Sequence, residues 1–239
     1  MCTVLLRFDP AATFPVLLAA VRDEYLARPW EPPAEHWPGF WGGRDSAAGG
    51  TWLAVDPAAP AVTALLNGFP PLPPLGDRPT RGALPLGPLP PDLSGFDAFH
   101  LVRATPAEVT VLSWNGTDLT THTLPPGDHV IVNQGVDVNA FAPLHAAATP
   151  PLAPDTPTHE AWGDWIPLLA GGTFTGVAPR ALLVRHEVDG LAYGSGSAAL
   201  VALGRDAVRY DFATAPGPSA TWTRIPLPPV VRRPRSSTG

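Results

Sequence analysis

The chain has 239 residues, of which 45% are hydrophobic, 15% charged and 33 are proline, and its formal net charge is -6. That length can bury roughly 70% of its unfolded surface, but the proline content argues against long helices, and a mildly acidic surface gives no electrostatic reason to expect nucleic acid. A single cysteine excludes an internal disulfide, and no uninterrupted apolar run approaches the ~20 residues of a bilayer span.

The first apolar stretch is broken by Arg7-Phe8-Asp9-Pro10 and lacks a basic leader, so it does not read as a signal peptide. The expectation is a soluble, cytoplasmic protein. All 15 basic residues are Arg. Their only cluster, Arg232, Arg233 and Arg235, falls in a Pro/Ser-rich tail that reads as a flexible end.

Residues 2–8 and 13–21 are β-like runs around the turn sequence Asp9 to Ala12, which predicts a hairpin. Folding it back sets Cys2 opposite about residue 20 and brings Arg22 near the start of the chain. Residues 51–55 and 62–66 form a second pair around Asp56 to Pro60, ending at Asn67. The segment from Pro70 to Pro91 lacks periodicity and predicts a long surface loop or a degraded helix.

Residues 108–114 and 118–124 flank Asn115-Gly116, a strong hairpin signal. A short strand from His129 to Val132 ends at Asn133. Residues 157–169 are the best helix candidate, with Trp162, Trp165, Leu168 and Leu169 on one face and Pro167 near its end. Residues 181–187, 198–203 and 207–212 read as further strands. Many short antiparallel strands with few helices give an α+β class, in one domain over about residues 1–225 with a tail over 226–239.

Position gives Cys2 its interest. Methionine is normally trimmed when residue two is small, and Cys2 would then carry a free α-amine whose ordinary pKa is near 8. That amine can serve as the base for its own thiol, so nucleophile and base share one residue. A guanidinium at Arg22 would favour thiolate over thiol. If the strand continues past Val21, Arg22 and Glu24 share a face and Asp23 points away.

The opening Met1-Cys2, the stretch Val21-Arg22-Asp23-Glu24-Tyr25 with Arg28-Pro29, and Gly43-Arg44-Asp45 followed by Gly49-Gly50-Thr51-Trp52-Leu53 resemble the NRDE family, the transport-and-Golgi-organisation proteins. Leu65-Leu66-Asn67, Gly95-Phe96-Asp97-Ala98-Phe99 and Gly127-Asp128-His129-Val130-Ile131-Val132-Asn133 add to the likeness. It is dense over residues 1–67, scattered to about 213 and absent from the tail.

The resemblance implies an N-terminal-nucleophile hydrolase fold, an αββα four-layer sandwich of two mainly antiparallel sheets. It also implies an amidohydrolase-like activity on a small amide. Cys2 would be the nucleophile, Arg22 its neighbour, Asn67 an oxyanion-hole amide and Asn133 a second site asparagine. Asp23 or Glu24 would orient the α-amine. The alternative is a non-catalytic carrier or trafficking protein for a hydrophobic ligand such as haem or lipid, with Trp30, Trp37, Trp41 and Trp52 as candidate walls.

Other site types do not fit. There is no Cys pair or His-x-x-x-His for zinc, and Gly194-Ser195-Gly196 does not complete a dinucleotide fingerprint. No cofactor or metal is called for. The Gly49-Gly50 pair reads as a turn needing positive φ.

Overall fold

The computed structural model describes residues 2–69, 78–137, 141–153, 155–171, 173–174 and 180–230. The basic cluster of the tail lies outside them. In chain order the elements are β1 (Thr3–Phe8), β2 (Val16–Tyr25), β3 (Trp30–Trp37), β4 (Phe40–Asp45), β5 (Leu53–Asp56), β6 (Ala61–Asn67), a 3-10 helix (Arg81–Leu86), β7 (Phe99–Ala104), β8 (Val109–Trp114), β9 (Leu119–Thr123), β10 (Gly127–Val132) and β11 (Gly135–Val136). There follow α1 (Ala142–Ala146), α2 (Thr158–Trp162), α3 (Trp165–Ala170), β12 (Thr173–Phe174), β13 (Arg180–Ala181), β14 (Arg185–Val188), β15 (Leu191–Leu203), β16 (Val208–Thr214) and β17 (Trp222–Arg224).

The strands form two large antiparallel sheets. One runs β11-β10-β1-β2-β15-β16-β17, with β14 added beside β15; the other runs β3 to β9 in chain order. β12 and β13 pair separately.

The apolar runs of β1, β2 and β15 are near-continuous because both faces of their sheet are covered. Val4, Leu6, Val16, Leu18, Ala199 and Val201 join a core shared with Leu53, Val55, Val62 and Val102 of the other sheet. The intervening Leu5, Leu17, Ala19, Leu200 and Ala202 face outward against Leu144, Trp162, Trp165 and Leu168 from the three helices. The two-residue period of the strand assigns alternate side chains to the two cores. On the outer face of the second sheet, Leu101 and Trp114 are covered by Leu84 of the 3-10 helix and by Leu93. Two mainly antiparallel sheets with few helices are as expected, and the helices among the described residues are short.

Two local corrections follow. The helix expected over 157–169 is two short helices, because Gly163 takes φ 49 and ends α2 with its N–H on the His159 carbonyl at 3.0 Å. Pro167 is then harmless: it sits in the first turn of α3, where its missing N–H would have had no helical partner. α2 is tied to β16 by a fully buried carboxylate. Asp211 accepts hydrogen bonds from Thr158 Oγ1 at 2.6 Å, Trp162 Nε1 at 2.7 Å and Arg209 Nε at 2.7 Å.

The first connection is also longer than the turn sequence suggests. Asp9 N–H donates to the Pro15 carbonyl across a loop, and the ladder pairs Phe8 with Val16 and Thr3 with Val21. Cys2 therefore falls opposite residue 22, two places beyond the expected partner. β2 runs unbroken to Tyr25, so Arg22, Asp23 and Glu24 are all strand residues.

Candidate functional site

Cys2 lies one position ahead of the Thr3–Val21 pair on one side and the Thr3–Val132 pair on the other. It thus sits between Arg22 of β2 and Asn133, the residue after β10. By alternation it shares the inter-sheet face with Val4 and Leu6, and it packs against that core at its open end. Its Sγ is 4.0 Å from the Asp23 carbonyl oxygen.

Strand parity separates the acidic pair as expected. Arg22 Nη2 is 3.9 Å from Glu24 Oε2, on the same face. The Asp23 carboxylate turns to β15, where Ser195 Oγ donates to its Oδ1 at 2.6 Å and Tyr193 Oη donates to its carbonyl at 2.9 Å. β15 is irregular between Ser195 and Ser197, which lets both residues reach β2.

Arg22 is 6% exposed, and a buried guanidinium needs partners. Beyond Glu24 it has Asp45 Oδ2 at 3.6 Å and the face of Trp52, 4.5 Å from Cζ to the ring centroid. Arg28 Nε bonds the same Asp45 Oδ2 at 2.6 Å. Burial alone would raise the Asp45 pKa; the hydrogen bonds from Arg28 and the Ala48 N–H, with the charges of Arg28 and Arg22, outweigh it and hold the carboxyl below its usual range.

The far wall comes from the segment before and within the 3-10 helix. Gly50 and Gly82 bring two backbones into contact: a Cβ on Gly50 would lie 2.3 Å from the Gly82 carbonyl carbon. Thr51 N–H donates to the Gly82 carbonyl at 2.8 Å. Gly49 has φ 75, as the turn reading expects, but Gly50 is required by close approach. This contact seats Arg81 at the pocket, its Nη1 donating to the Ala98 carbonyl at 2.7 Å. Arg78 Nε lies 3.1 Å from Asp97 Oδ1.

These residues enclose a cavity of about 290 Å³, and eight of the eighteen residues lining it are charged. Cys2, Arg22, Asp23 and Asn67 all line it. Asn67 ends β6, opposite Phe99. Asn133 is not among the lining residues; its carbonyl accepts from His100 Nε2 at 3.1 Å, and its buried side-chain oxygen has no partner among the described residues. Since a carbonyl only accepts, His100 carries its proton on Nε2, and Nδ1 accepts from the Ser113 hydroxyl at 2.7 Å. Burial lowers the His100 pKa against the pull of the Asn133 hydrogen bond. His100 thereby ties one sheet to the other beside Cys2.

The Cys2 thiol departs from expectation. With Met1 still in place, burial pushes its pKa up, the Asp23 carboxylate adds to this, and the hydrogen bond to the Asp23 backbone and the Arg22 charge only partly offset it. Arg22 cannot act as a free charge on sulfur while two carboxylates share it. Of the four candidate tryptophans, only Trp52 lines this cavity; Trp30 stacks edge-on against Trp52 and Phe212.

The sequence profile of the family described as Transport and Golgi organisation 2 matches residues 1–138. The chain belongs to that family. The matched region carries all eighteen residues that line the cavity, among them both sides of the β1–β2 hairpin end, Asp45, Trp52, Asn67 and the 78–82 segment. The Asp23 partners on β15 lie beyond it. No curated protein matches the chain. No helix among the described residues is long and apolar enough to cross a membrane.

Arg78 and Arg81 stand inside the Pro/Gly-rich segment, where no periodicity or motif marks them as site residues. Asp45 belongs to the Gly43-Arg44-Asp45 stretch but has no assigned role in the sequence reading. The available signal was charge balance: a buried Arg22 flanked by Arg28 needs more carboxylate than Glu24 supplies.

Proposed function

We propose that the protein is an N-terminal cysteine amidohydrolase acting on a small amide, and that its two-sheet sandwich is that of the N-terminal-nucleophile hydrolases. The observation that carries this reading is the position of Cys2, at the end of the inter-sheet core and on the wall of a charged cavity. There the residue following a trimmed Met1 would present thiol and α-amine together.

In this reading the Cys2 thiol attacks the amide carbonyl. As the S–C bond forms, the thiol proton passes to the α-amine and the carbonyl electron pair moves onto oxygen. Collapse breaks the C–N bond, and the ammonium proton leaves with the amine. Water then adds to the thioester with the α-amine as base, releasing the acid and the thiol.

Asp23 is the better candidate to orient the amine. Its carbonyl lies near Sγ and its carboxylate is set by Ser195, whereas Glu24 is engaged by Arg22, Arg28 and the Tyr25 N–H. Asn67 is the candidate donor to the oxyanion, a role worth about 3–4 kcal/mol where donor geometry is favourable. Asn133 is better assigned to holding the Cys2 strand end.

A carrier of haem or lipid finds less support, because the cavity is small and its wall is dominated by charge. The test is turnover of N-acyl amides by wild type, by Cys2→Ala and by a protein with one alanine inserted ahead of Cys2. Loss in both variants supports the reading. Equal turnover by the extended protein, in which the Cys2 nitrogen is an amide, would overturn it.

A further inference from the structure

The charges of the cavity fall into groups. Arg22 and Arg28 face Glu24 and Asp45, and Arg78 faces Asp97. Asp23 stands beside the start of the chain, its carboxylate accepting from the Ser195 hydroxyl at 2.6 Å. Arg81 remains. No carboxylate lies within ion-pair distance of it among the described residues, and its one hydrogen bond there is from Nη1 to Ala98. Yet it lines the cavity and is partly buried.

A partly desolvated guanidinium with one donor used has several N–H groups to offer in a planar fork. Burial lowers its pKa, opposed by the more distant Asp97, so the positive charge is held there at a cost that an anion would offset. The Gly50–Gly82 contact fixes its backbone and the hydrogen bond to the Ala98 carbonyl holds one guanidinium nitrogen, leaving the others toward the cavity that Arg81 lines.

We propose that Arg81 is a specificity residue that binds a carboxylate of the ligand, so that the cavity takes acidic N-acyl compounds in preference to neutral ones. A single guanidinium without a paired carboxylate among the described residues matches one carboxylate better than a phosphate dianion. Hydrolysis of such a ligand rests on the proposed function; its binding at Arg81 does not.

Binding is therefore measured apart from turnover, by calorimetry on the full-length Cys2→Ala protein. The probes are N-butanoylglycine and its neutral counterpart N-butanoylglycinamide. The acid is expected to bind about tenfold tighter, or about 1.4 kcal/mol. Adding Arg81→Gln should bring the two probes within about twofold, and Arg81→Lys should keep part of the preference because it keeps the charge.

Equal binding of acid and amide, no millimolar binding of either, or a preference that survives Arg81→Gln would overturn the proposal. So would inorganic phosphate displacing the acid at lower concentration than the acid itself binds. The comparison of probes within the Arg81 protein stands even if Arg81→Gln folds poorly. A preference for the acid without hydrolysis by the Cys2 protein would sink the enzyme reading and leave this inference intact. Equal hydrolysis of acid and amide would do the reverse.

Discussion

Arg22 and Asp45 meet at 3.6 Å across the cavity wall, and the same Asp45 oxygen lies 2.6 Å from Arg28. One carboxylate from the β4 end thus fixes two guanidiniums from the β2 end. Asp45→Asn should loosen both. The expected cost is about 1–2 kcal/mol, the low side of the roughly 1.5–3 kcal/mol of hydrogen bonds to charged groups because solvent screens a partly exposed pair, read from denaturant unfolding. Because the folded-state pKa of Asp45 is depressed, its contribution is present above the unfolded carboxylate value and is lost as pH falls through the folded one. The variant should therefore show a shallower acid limb than wild type.

The thiol itself should titrate late. Its pKa is raised by burial in the chain that keeps Met1, so alkylation of Cys2 in that folded form should rise only at a pH above the pKa of a free cysteine. Arg22→Met removes a charge that favours the thiolate and should move the profile further upward. An early-titrating thiol in wild type would show that Arg22, not burial, sets the balance.

Away from the pocket, Asp211 provides a contrast. It is fully buried and joins Thr158, Trp162 and Arg209. Asp211→Asn keeps the shape but leaves Arg209 buried without its counter-charge, which should cost about 3–5 kcal/mol. The variant should unfold at much lower denaturant while the Cys2 alkylation profile of its folded fraction is unchanged.

What the sequence made legible follows from local physics. The Leu53–Asp56 and Ala61–Asn67 hairpin and the Val109–Trp114 and Leu119–Thr123 hairpin announce themselves by turn residues between β-branched runs. The register of β1 on β2 did not, because it depends on how Asp9 to Pro15 folds, and a change of two places in the loop moves Cys2 from residue 20 to residue 22. Trp30–Trp37 escaped because Pro32-Pro33 argues against a strand; the pairing with β4 accommodates them by shifting register between Glu31 and Ala34. Phe99–Ala104 was passed over although its composition is β-like. Arg81 could not be found from sequence at all: its place depends on two glycine backbones, Gly50 and Gly82, touching across the fold.

The account turns on whether Cys2 becomes acylated as residue one. Wild-type protein from its native host, mixed with N-butanoylglycine, quenched in acid and measured by intact mass, tests this in one spectrum. The predicted result is a chain lacking Met1, with a transient butanoyl adduct that disappears when the quench is delayed and is absent from Cys2→Ala. A chain that retains Met1, or one that turns the compound over with the adduct also formed in Cys2→Ala, would contradict it.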